Sequence, residues 1–268
     1  MTPPPPALPN TIRLYDGVSS ELVDARELAG YVAHKVADTE VEVRADFLEE
    51  KLGDVDESVR SATARRLAEA RVHSPDHRAR EEDALPGEIS FEERFLTAGS
   101  DKPSGMLYDG HMVQGALGRL FAPEEVGRDT CHIVLTGQVV GTWRPAEARY
   151  HARAAVFGMP SIISTTGLVV APARPREYYV AQSVGRSEAQ LPDELRERFL
   201  RKNDPRIQEA MKGYLLQALF YHVTGDPFCE DQSCRLYNAH WQEELLDVQL
   251  RPDAGLCERH ERILEELT

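Results

Sequence analysis

The sequence predicts an α/β (α+β) chain: a mixed β-sheet flanked by helices, followed by a helical C-terminal region. Three observations carry this. Near the start, TIRLYD and EVEVRADF alternate in the two-residue period of a strand, and the stretch between them has apolar spacing near 3.6. A strand, a helix and a strand at this length make a crossover unit. Beyond Leu191 the pattern turns helical, and three of the four cysteines fall in the last fifth of the chain.

Taken in order, MTPPPPALPN (residues 1–10) is proline-rich and has neither the basic start nor the apolar run of a signal peptide, so it is expected to be a disordered leader. Residues 11–268 are expected to form a single domain, with 226–268 a metal-binding subregion. SSELVDARELAGYVAHKVA reads as a helix with a serine cap and ESVRSATARRLAEARV as a second, more solvated one. SPDHRAREEDALPGE, dense in alternating charge, reads as a surface loop. LYDGHMVQGALGRLFAP should be a helix capped by Asp109 and stopped before Pro123. CHIVLTGQVVGTW reads as two strands around Gly137, with Cys131 a buried strand residue. RYHARAAVFG and SIISTTGLVV read as strands, and PARPREYYVAQS as an extension of the sheet.

The next helix is marked more fully. Asp204 and Pro205 open it, Ile207, Met211, Leu215, Ala218 and Leu219 line one side, and Gly225 ends it. Just beyond lie Cys229, Cys234, Cys257 and His260, spaced C-x4-C-x22-C-x2-H. Two close-spaced pairs separated by a loop suit one tetrahedral zinc ion, and a site closed by four protein ligands leaves no position for a reacting water. Such an ion holds the fold together. The alternative is a set of buried thiols without metal.

The order His222-x2-Gly225-x3-Cys229-x4-Cys234-x22-Cys257-x2-His260 resembles the C-terminal half of the archaemetzincin metallopeptidases. There H-E-x-x-H-x-x-G-x-x-H-C runs into C-x4-C and later C-x2-C. VFGMPSIISTTGL is similar to the strand segment ahead of the helix in that family, and RYHAR, ISTTG and NAHWQEE resemble a related archaeal group of metallopeptidase-like proteins. The resemblance implies a metzincin-like fold and a zinc peptidase ancestry. Laid on the motif, however, Ala218 stands at the first histidine, Leu219 at the glutamate base and Phe228 at the third histidine, so His222 alone remains. Leu236 replaces the methionine after the second cysteine, and His260 stands where the family has a cysteine. Zinc catalysis needs about three protein ligands and a base for the bound water, and alanine, leucine and phenylalanine supply neither. The expectation is a pseudoenzyme that binds a peptide or protein in the old cleft. Two alternatives stay open: a metallohydrolase rebuilt around His222, with His240, His151, Glu243 or Glu244 as partners, and a zinc-stabilised interaction domain. His222 itself could equally be a helix-terminal histidine favoured by the dipole.

Composition narrows the classes further. With 41% hydrophobic and 28% charged residues the chain can bury a sizeable core. A net charge of -14 argues against general nucleic-acid or anionic-membrane binding. No apolar run reaches the roughly 18 residues of a membrane span. Few, clustered cysteines point to a reducing cytoplasm, and the oligomeric state is open.

Overall fold

The computed structural model describes residues 7–18, 23–80, 84–98, 103 and 105–267. Strand β1 (Thr11–Gly17) leads to α1 (Ala25–Lys35), where Asp24 accepts the amides of Arg26 and Glu27 at 2.8 and 3.2 Å. The expected serine cap lies outside the described residues. Strand β2 (Glu40–Arg44) returns parallel to β1, completing the expected crossover. Residues 8–10, expected in the leader, are tied down: Leu8 packs on the core, Thr39 donates to the Pro9 carbonyl at 2.8 Å, and the Glu40 amide donates to that of Asn10 at 3.0 Å.

Helices α2 (Phe47–Leu52), α3 (Glu57–Glu69) and α4 (Pro86–Ala98) precede β3 (Leu107–Asp109) and α5 (Gly110–Gly118). Asp109 caps α5 as expected, accepting the amides of His111 and Met112 at 2.9 and 3.0 Å. Next come β4 (Thr130–Thr136), β5 (Val139–Arg144), β6 (Arg149–Arg153), β7 (Ala155–Val156) and β8 (Ser161–Ser164). Five strands form one sheet in the order β2-β1-β4-β8-β7, all parallel except the edge strand β7. A second sheet has the order β3-β5-β6. The two strands expected around Gly137 therefore exist, but each joins a different sheet.

Helices complete the chain: α6 (Thr165–Val170), α7 (Arg176–Ser183), α8 (Asp193–Arg196), α9 (Arg206–Thr224), α10 (Gln242–Leu250) and α11 (Glu258–Leu267). Two expected strands are corrected here. SIISTTGLVV stops being a strand at Ser164, whose hydroxyl accepts the Gly167 amide at 2.8 Å and caps α6. PARPREYYVAQS is α7, with Pro175 at its N-cap and no fully buried residue. Its Tyr and Val side chains find no cross-strand partners, and β-propensity is realised only through such packing.

Both faces of the large sheet are covered. Leu14, Ile133 and Ile163 point to α1 and α9, packing with Ile207, Met211 and Leu215. Their chain neighbours Tyr15, Val134 and Ile162 point the other way, onto Phe47, Leu117 and Phe121. Each such side chain, fully buried, contributes about 1.5–3 kcal/mol, which explains the near-continuous apolar run of β4. Ile133→Ala should cost about 2–5 kcal/mol.

Candidate metal centre

Helix α9 delivers the chain to the cluster. Gly225 ends it at φ 79°, a left-handed turn that glycine adopts without strain, and its amide donates to the Tyr221 carbonyl at 2.8 Å. The chain then folds back on itself. The Cys229 amide donates to the Leu236 carbonyl at 2.9 Å, and the Arg235 amide to that of Gly255 at 2.8 Å. The second contact brings the loop carrying Cys229 and Cys234 against the segment carrying Cys257. Between the first two cysteines, Asp231 accepts the Ser233 amide and hydroxyl at 2.8 and 2.7 Å, fixing the turn. Cys257 stands one residue before α11, and its carbonyl accepts the His260 amide at 2.9 Å, so the second pair shares one helical turn.

The expected quartet is thus assembled: the ligand atoms of Cys229, Cys234, Cys257 and His260 all lie within 4.8 Å of one another. Cys229 Sγ is 3.9 Å from Cys257 Sγ, and His260 Nδ1 is 3.1 Å from Cys257 Sγ and 3.8 Å from Cys234 Sγ. Metal–sulfur bonds of about 2.3 Å and metal–nitrogen bonds of about 2.0 Å, set tetrahedrally, require edges of roughly 3.5–3.8 Å. The residues present fit such an ion. Amides of Asp231 and Cys257 point at Cys229 Sγ and Cys234 Sγ, each at 3.4 Å, a setting that favours thiolates. The His260 ring stands edge-on to Phe220 with centroids 5.1 Å apart, which holds Nδ1 toward the sulfurs.

Without a cation, burial keeps Cys229 and Cys234 as thiols and His260 as a neutral ring. Burial pushes the Cys234 thiol up to about 12 and also raises Cys229, while burial lowers His260. A dication in this space would displace the thiol protons, so its affinity must rise with pH.

The remaining candidates are not brought together. His222 donates Nε2–H to the Arg128 carbonyl at 2.8 Å. His151 lies 2.8 Å from Glu147, Glu243 pairs with Arg198 at 2.8 Å, and Glu244 accepts the amides of His240 and Trp241. The His240 side chain is exposed. Ala218 and Leu219 are fully buried in the core, and Phe228 packs edge-on against Phe157 with centroids 5.8 Å apart. Cys131 is a buried strand residue, as expected. Among the described residues the Cys3His quartet is the group of three or more potential ligands able to share an ion.

A covered α/β sheet and a Cys3His cluster able to hold a metal ion are the features that define this fold and its site. The chain belongs to the probable metallopeptidase family DUF6775, whose model matches residues 8–267, in agreement with the kinship implied by the motif order. Among solved structures it is similar to archaemetzincin from Methanopyrus kandleri, at 12% identity and a TM-score of 0.39 over 100% of this chain and 98% of that one. At that level nothing about the site follows from the likeness. No curated protein matches the chain. Among the described residues no helix is long and apolar enough to cross a membrane.

Proposed function

We propose that Cys229, Cys234, Cys257 and His260 bind one structural zinc ion, and that this chain is a member of its metallopeptidase family that binds a peptide or protein rather than cleaving it. The observation that carries the metal reading is the closed set of four donors within 4.8 Å. Zinc supplies folding energy there and no catalysis, since four protein ligands complete a tetrahedral shell. The loss of hydrolysis is supported by Ala218 and Leu219, which stand at the ligand and base positions and are sealed in the core. It is supported too by His222, committed to the Arg128 carbonyl. Four free thiols suit a reducing cytoplasm.

Metal counting on the purified protein tests this: one zinc per chain is expected, lost in Cys234→Ser and in Cys257→Ser. Two zinc ions per chain, or zinc retained in both variants, overturns the metal reading. Peptide hydrolysis that stops in His222→Ala overturns the loss of catalysis.

A further inference from the structure

We infer that the cleft at the carboxyl ends of β1, β4 and β8 is a second site, built for a small organic ligand that carries a cationic nitrogen on an apolar body. The inference stands apart from the zinc reading and begins with topology. From β1 the chain crosses to β2 on one side and later returns to β4 on the other, so β1 and β4 are neighbours whose connections diverge. In an open parallel sheet that divergence leaves a crevice outside the strand ends, which is where ligands bind.

A cavity of about 1580 Å³ occupies that place, larger than the roughly 300–1,000 Å³ of a typical small-ligand pocket. Gly17 and Thr136 at the ends of β1 and β4 line it, and so do Thr165 and Thr166 after β8. Apolar side chains make up much of its walls, among them Phe47, Leu67, Leu117, Val169 and Ile207. The cleft meets α9 only at its beginning, near Asp204 and Ile207. The Cys3His cluster follows the other end of that 19-residue helix, roughly 28 Å away along its axis.

The polar groups at the strand ends decide the ligand's charge. The hydroxyls of Thr165 and Thr166 are spent on the carbonyls of Thr136 and Gly137, at 3.3 and 2.6 Å. At the strand ends two carboxylates remain, Asp16 and Asp46, and with Glu49, Glu92 and Asp204 elsewhere the lining carries five acidic residues against two basic ones, Arg60 and Lys202. Asp46 Oδ1 accepts the amides of Leu48 and Glu49 at 2.9 and 3.0 Å, while its Oδ2 lies against Gly17, where a Cβ would stand 2.5 Å away. Neither carboxylate has a basic partner among the described residues. Burial raises the Asp46 carboxyl, as do the nearby Glu49 and Asp16 charges, and a ligand cation would offset that repulsion.

The test uses the whole protein and three probes of one shape: 4-phenylbutylamine, 4-phenylbutan-1-ol and 4-phenylbutyrate, titrated calorimetrically. The amine is expected to bind about tenfold or more tightly than the alcohol, and the carboxylate not to bind. Asp46→Asn keeps the helix cap and Asp16→Asn keeps the side-chain shape; each should erase the amine's advantage. Gly137 lines the cavity with no atom within 4 Å of an added Cβ, so Gly137→Leu should fill the mouth without a backbone clash and abolish binding. Chelation that strips the zinc should leave amine binding in place. Equal binding of amine and alcohol, preference for the carboxylate, no binding of any probe, or unchanged affinity in folded Gly137→Leu overturns the proposal.

Discussion

Arg235 and Glu209 form an ion pair between the metal-site loop and α9, with the arginine side chain 4% exposed. Arg235 follows Cys234 directly, and its carbonyl accepts Nε2–H of Gln249 on α10 at 2.9 Å. The loop is therefore fixed to two helices independently of any ion. Glu209→Ala leaves a buried guanidinium without its carboxylate, which costs several kcal/mol in full burial. With Glu209 partly exposed, about 2–3 kcal/mol is expected, read as a lower denaturant midpoint.

Metal removal should act locally before it acts globally. Chelator is expected to raise amide exchange first in residues 226–260, while the parallel sheet keeps its protection. Uniform loss of protection across β1 and β4 at the same chelator concentration would contradict a clip confined to the C-terminal region.

His132 should make stability depend on pH. Its Nε2–H donates to the Glu125 carbonyl at 3.1 Å and its Nδ1 accepts from the Tyr15 hydroxyl at 3.0 Å, an arrangement of the neutral ring. Burial holds its pKa at about 4, against the ordinary 6.5. Between those values the unfolded chain binds a proton that the folded chain refuses, so stability is full above pH 6.5 and is lost as pH falls toward 4. The loss is up to about 3 kcal/mol, and His132→Gln should flatten that part of the profile in unfolding titrations.

Gly167 lies where helix α6 passes β6. A Cβ there would stand 2.2 Å from the Arg153 carbonyl oxygen and 3.0 Å from Ala154 Cα. Backbone cannot step aside as a flexible side chain would. Gly167→Ala should therefore destabilise the protein by about 1–3 kcal/mol, whereas Gly115→Ala, with nothing within 4 Å, should be neutral or slightly stabilising by thermal melting.

Much of this protein is written locally. Asp204, Pro205 and Gly225 marked both ends of α9, and the cysteine spacing marked the quartet, because caps and close-spaced ligand pairs act within a turn or two of chain. What failed was also local in appearance: Tyr178, Tyr179 and Val180 have strand propensity, yet no strand lies beside them, and they form α7 behind Pro175. Thr165 and Thr166 are β-branched, yet the Ser164 cap turns them into helix. Sheet membership of β4 and β5, the commitment of His222 to the Arg128 carbonyl, and the meeting of Asp16 with Asp46 were settled only by tertiary structure. Each joins residues that no short window of sequence contains, and the packing of a whole sheet between two helical layers decides which of them meet.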